Sequence, residues 1–95
     1  MKKRLDNSGQ LAFLRRRIDV ADDKIIRLLA ERISLVEKVL PLKKSINSPA
    51  REKEILGKAA RLAVKFKTDP EFINSVYLGI LKESRKFQKR RRAGK

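Results

Sequence analysis

From Leu14 to Leu42 an apolar residue returns every four, then every three, positions: Leu14, Ile18, Ala21, Ile25, Leu28, Arg32, Leu35, Val39 and Leu42. One cation, Arg32, interrupts the series. A 4-3 spacing held over that length is a seam along a single long helix, and no strand repeats that way. An arginine on such a seam loses hydration and needs an anionic partner. No Asp or Glu occupies another position of the seam, so the partner lies on another helix, on another chain or on a ligand.

The chain has 95 residues, enough for one small domain with a modest core. It contains neither cysteine nor histidine. Disulfides, thiol nucleophiles, histidine-based triads and the usual zinc sites are thereby excluded. The basic start Met1-Lys2-Lys3-Arg4 leads into Asp6-Asn7-Ser8-Gly9 with no apolar run behind it, and no later segment has the length of a membrane span. The expectation is a soluble, cytoplasmic protein with no membrane partner and no metal.

The formal charge is +15. A charge of that size raises a nucleic-acid partner as a question. Its distribution argues against one. Residues 1–17 carry six cations and one anion, and residues 85–95 carry seven cations and no anion. The long middle, 18–84, holds thirteen cations and ten anions. The excess sits mainly at the two ends, and the run Lys89-Arg90-Arg91-Arg92 reads as a solvated, frayed helix end. Aromatic residues are sparse and are not interleaved with that run, so base stacking has no platform.

An all-α fold of three helices, one long and two shorter, is predicted. The first runs from about Gln10 to about Lys43, capped by Ser8 or Asn7. A second row, Ile26, Leu29, Ile33, Val36 and Leu40, widens its apolar face. Ser48 and Pro49 start the second helix, which reaches Phe66 with Ile55, Leu56, Ala59, Leu62, Ala63 and Phe66 on one face. Asp69 caps the third, Pro70 opens it, and Glu71 favours its positive end. It continues to about Arg90, with Phe72, Ile73, Val76, Tyr77, Ile80, Leu81, Ser84 and Gln88 in helical period. The domain so defined is residues 10–90, between a basic segment 1–9 and a basic tail 91–95. At 1.5 Å per residue the first helix is roughly 50 Å long and the others roughly 27–32 Å. Two short helices cannot cover its whole stripe, so a symmetric homodimer is expected, in which two long helices cover each other.

Several polar residues fall into line on this scheme. Arg32 and Lys43 are eleven apart, roughly 1100° of helical rotation, and so within ~20° of one direction. Ser84 and Gln88 are one turn apart. Arg51 and Glu52 open the second helix near its positive end. Arg15 lies beside the seam in the half a partner would cover. Each has an ordinary reading. Arg32 is then a specificity device in a seam, Ser84 bonds back to its own helix, and Lys43, Arg51, Glu52, Gln88 and Arg15 face solvent. Taken jointly they are several cations and neutral donors with one carboxylate and no nucleophile, a set suited to a small molecule with two carboxylates.

Four segments resemble the all-helical class of chorismate mutases: Leu14-Arg15-Arg16-Arg17-Ile18-Asp19; Asp22-Asp23-Lys24-Ile25-Ile26-Arg27-Leu28-Leu29-Ala30-Glu31-Arg32; Arg51-Glu52-Lys53-Glu54-Ile55-Leu56; and Ile80-Leu81-Lys82-Glu83-Ser84-Arg85-Lys86-Phe87-Gln88. The resemblance implies an intertwined three-helix homodimer that converts chorismate to prephenate, an intramolecular Claisen rearrangement without covalent intermediate, metal or organic cofactor. It implies that Arg15 from the partner chain and Arg32 bind substrate carboxylates. Lys43 and Gln88 would donate to the ether oxygen, where charge develops. Glu52 would hold the ring hydroxyl with Arg51 beside it, and Ser84 would anchor the ring carboxylate. Catalytic roles thus fall to Lys43, Gln88, Arg32 and Glu52.

The chain departs from that pattern in its first joint. Only seven residues separate Lys43 from Arg51, and Ser48 stands where the family usually has an aspartate. Pro41 cannot supply a helical N–H and costs roughly 3 kcal/mol inside a helix. It should kink or end the first helix near Glu37–Pro41, and Lys44 would replace Lys43 if the phase slips. Three alternatives stand beside the enzyme reading: a non-catalytic or regulatory homologue that binds a partner enzyme, a lyase acting on isochorismate, and a basic helical module for nucleic acid.

Overall fold

The computed structural model describes residues 7–94, and all regular structure among them is helical: α1 (Asn7–Val39), a single 3-10 turn (Leu40–Leu42), α2 (Pro49–Lys65) and α3 (Pro70–Ala93). The three-helix, all-α expectation holds, with one long and two shorter helices. No helix of the described residues is long and apolar enough to cross a membrane. The chain divides into two compact units, one through Ser34 and one from Leu35 onward.

The first unit is helix throughout its described residues. Asn7 and Ser8 both lie inside α1, which corrects the expected start at Gln10. No residue of α1 is buried in the single chain. Leu14, Ile18, Ile25 and Leu28, the heart of the 4-3 seam, are each more than half exposed. An apolar stripe of that length is far more than the scattered exposed leucines of an ordinary surface.

The second unit begins with the end of α1. The helix stops at Val39, two residues before Pro41, and tightens into the 3-10 turn. The pyrrolidine nitrogen has no hydrogen to give, and its ring crowds the carbonyl four residues back. The turn closes with the Lys43 N–H on Leu40 O at 3.2 Å, and Lys43 itself is extended, at φ −102 and ψ 144. The expected helix end at Lys43 is therefore four residues too late. The ~20° alignment of Arg32 with Lys43, which needs an unbroken helix, does not apply.

Both later helices start as their sequences dictate. Ser48 Oγ accepts the Arg51 N–H at 3.4 Å with Pro49 in the first turn. Asp69 Oδ1 accepts the Glu71 N–H at 3.0 Å ahead of Pro70. Such caps satisfy N–H groups that the helix cannot, and each contributes on the order of 1 kcal/mol. Helix α2 ends in a Schellman turn: Thr68 N–H reaches Ala63 O at 2.9 Å and Lys67 N–H reaches Val64 O at 3.1 Å. Lys67 is left-handed at φ 57, the one non-glycine residue with positive φ among those described.

Helix α2 packs against α3. Its contact face carries Ala59 and Ala63, 5% and 2% exposed, and small side chains there let the two backbones approach. Leu81 is buried on α3, and Leu40 is buried in the 3-10 turn. Ile55, Leu56, Ile73, Tyr77 and Ile80 are half-buried around them, whereas Phe66 and Phe72 at the far end are exposed. Helix α3 runs three residues beyond the expected Arg90, and Gly94 N–H bonds to Arg90 O at 3.0 Å. The reading of Lys89–Arg92 as a frayed end is thereby corrected.

Two stability effects follow. Lys67→Gly should raise stability by roughly 0.5–1 kcal/mol, because a left-handed L-residue carries a cost that glycine avoids; thermal or urea unfolding at fixed protein concentration reads it. Leu81→Ala should lower stability by about 2–5 kcal/mol through lost burial and the cavity left behind, visible in the same unfolding curves.

Candidate active site

Only six described residues are buried, and two of them are polar: Ser84 and Gln88, 7% and 5% exposed. A buried amide costs several kcal/mol unless its hydrogen bonds are made. Gln88 makes them in two directions. Its Oε1 accepts from Lys43 Nζ at 2.8 Å, and its Nε2 donates to Ser84 O, one turn back on α3, at 3.1 Å. Lys43 Nζ also donates to Ile46 O at 3.1 Å. The extended backbone at Lys43 aims the side chain at α3. Lys43 thus meets Gln88 although its helical phase is lost, and Lys44 stays exposed.

The donor inventory of this pair is instructive. An ammonium has three N–H groups and a primary amide two. Ile46 O and Gln88 Oε1 take two from Lys43, and Ser84 O takes one from Gln88. One N–H on each side chain is left for an acceptor, from two groups already held side by side.

Glu52 stands in the first turn of α2, where a carboxylate favours the helix dipole. Its Oε2 receives Arg85 Nη1 at 2.6 Å, with the two side chains 27% and 33% exposed. This pair ties the start of α2 to α3, one turn before Gln88. Arg51 turns the other way: its guanidinium meets Glu54 Oε1 at 3.1 Å on the exposed side of its own helix. Arg15 is exposed on α1 and Arg32 is half-buried there, both in the unit that ends at Ser34. The second unit therefore gathers Lys43, Ser84 and Gln88 through hydrogen bonds and adds Glu52 through Arg85. It leaves Arg51 on the outer face of α2.

Two cations singled out by no sequence argument hold this arrangement. Arg85 is the first. Arg92 is the second: its Nη2 donates to Leu40 O at 2.9 Å and to Lys43 O at 3.3 Å, carbonyls at the start of the 3-10 turn and just after it. Beside it Arg91 forms an ion pair with Glu37 in the last turns of α1. All four cations of the run 89–92 are exposed, and composition could not distinguish Arg91 and Arg92, which make these contacts, from Lys89 and Arg90. One signal was available: Gln88 and Arg92 are four apart, on one face of α3.

The chain is similar to known proteins along most of its length. The family described as chorismate mutase type II matches residues 14–89. A chorismate mutase of Methanocaldococcus jannaschii is 32% identical over 84 residues, covering 84% of this chain and 85% of its own length. The bifunctional chorismate mutase/prephenate dehydratase of Buchnera aphidicola is 34% identical over 87 residues, covering 87% of this chain but 23% of that larger protein. The family match runs from the start of the apolar seam, across the joint at Lys43, to one residue beyond the buried glutamine, and the chain belongs to the chorismate mutase type II family.

Proposed function

We propose that the chain is an isomerase that converts chorismate to prephenate, a step toward phenylalanine and tyrosine, and that it does so as a homodimer in the cytoplasm. Family membership supports the reaction. The observation that carries the site is the contact between Lys43 and the buried Gln88 at 2.8 Å.

The rearrangement breaks an ether C–O bond and forms a C–C bond within one molecule, and no proton leaves or enters. The protein's task is then to hold the substrate folded and to stabilise the negative charge that grows on the ether oxygen. Lys43 and Gln88 each keep one N–H for that oxygen and are already fixed by Ile46 and Ser84, so little reorganisation is needed when the charge appears. Glu52, restrained by Arg85, accepts from the ring hydroxyl. Ser84 anchors the ring carboxylate, and Arg51 lies next to Glu52. Arg32, and Arg15 from the partner chain, grip carboxylates with the forked geometry that suits them. The net positive charge draws in a dianion.

The dimer rests on exposure. Leu14, Ile18, Ile25 and Leu28 are more than half exposed in the single chain, along a heptad seam. A second copy bears the same seam, and a two-fold pairing of long helices buries both.

Purified protein should deplete chorismate absorbance while prephenate appears. Binding of chorismate by folded protein with no turnover above background overturns the enzymatic reading in favour of a regulatory homologue. Lys43→Ala and Gln88→Ala should each lower kcat by about 10²–10³, the usual loss of one preorganised donor. Arg32→Ala should lower kcat/KM by roughly two orders of magnitude or more; an unchanged value would confine Arg32 to packing. Light scattering after size exclusion should return the mass of two chains, and a charge in the seam, Ile25→Glu, should yield monomer with no activity.

A further inference from the structure

We propose that Arg92 is a positioning residue for Lys43, and that the basic end of α3 serves the reaction by fixing the 3-10 turn from which Lys43 projects. This rests on the reading of Lys43 given above. The argument begins with Pro41. Ending α1 at Val39 leaves carbonyls at the helix end without the N–H groups that a continuing helix would supply. Lys43 N–H satisfies Leu40 O from within the turn. Arg92 Nη2 adds a second donor to Leu40 O at 2.9 Å and reaches Lys43 O at 3.3 Å. One guanidinium thus spans the first residue of the turn and the residue that follows it. Charged donors at a helix carboxyl end bond carbonyls strongly and complement the dipole.

Gln88 and Arg92 act as a pair. They lie four residues apart on one face of α3. Gln88 holds the Lys43 side chain, and Arg92 holds the Lys43 backbone. The neighbouring Arg91–Glu37 ion pair ties α3 to the last turns of α1 before the break. Three anchors, Gln88, Arg91 and Arg92, therefore run from α3 onto the segment 37–43, and together they set where Nζ lies. Without Arg92 the lysine keeps its bond to Gln88 only as a flexible side chain on a loosened turn. An ammonium displaced by an ångström from a developing oxyanion loses much of its effect.

The test uses the full chain, with Arg92→Ala and Arg92→Lys as variants and circular dichroism to verify that each is folded. The first readout is independent of catalysis. In limited acetylation with an N-hydroxysuccinimide ester followed by peptide mass spectrometry, Lys43 of the unaltered protein should react several-fold more slowly than exposed Lys44. Arg92→Ala should bring the two rates together. A Lys43-to-Lys44 ratio unchanged by the substitution overturns the proposal. The second readout is kinetic. Arg92→Ala should lower kcat by roughly ten- to hundredfold with KM little altered. Arg92→Lys should recover part of the loss, since one ammonium reaches one carbonyl more readily than two. In a Lys43→Ala background Arg92→Ala should cost little more, because both act through the same group. Full multiplication of the two losses would assign Arg92 to general stability and overturn the proposal. If Lys43→Ala retains full turnover, the role given to Lys43 in the reaction fails, and the acetylation ratio still decides whether Arg92 positions it.

Discussion

A proline at position 41 removes one helical N–H, and the joint between α1 and α2 takes its form from that loss. Helix α1 cannot continue past Val39, so the chain tightens for three residues and emerges extended at Lys43. From that extended backbone the Lys43 side chain meets Gln88 on α3. The carbonyls left at the break are taken up by Arg92 from the same helix. The helix ends before the proline instead of kinking around it, and a charged side chain donates to the carbonyls that follow.

The small interior is polar where it matters. Ala59, Ala63 and Leu81 bring α2 and α3 together, and on the same α3 surface Ser84 and Gln88 are buried as well. For stability alone, apolar residues at those two positions would serve as well or better. Gln88, bonded to Lys43 and to Ser84 O and keeping one N–H, is the kind of group that a site for a charged metabolite requires. The Arg85–Glu52 pair follows the same logic, holding a carboxylate at a helix start instead of letting it range through solvent.

Much of the fold was legible because its causes are local. Ser48-Pro49 and Asp69-Pro70 announce two helix starts through a capping side chain and a residue that has no N–H to lose, and both occur as read. The break near Pro41 was legible for the same reason. Phase and ends were not. Asn7 and Ser8 fell inside α1, Lys43 left the helix on which its alignment with Arg32 had been reckoned, and α3 outran its expected end by three residues. Helix ends depend on which distant groups satisfy the last carbonyls, and at the end of α1 that group lies some fifty residues away. Of the candidate site, Lys43, Ser84 and Gln88 converge and Glu52 is tied in through Arg85, whereas Arg51 turns toward Glu54.

The sequence by itself determined the class of fold and the number of helices. It also established where two of the helices begin and that the first helix carries a long apolar seam, since all of these follow from residue type and spacing over a few turns. Only the tertiary structure decided that Gln88 is buried against Lys43, that Arg85 rather than solvent holds Glu52, and that Arg91 and Arg92, two of four consecutive cations, grip the end of α1. Those contacts join residues 33 to 54 positions apart. They depend on how α3 is rotated as it packs on α2, a choice made by the collective burial of small and apolar side chains and not by any one residue's preference.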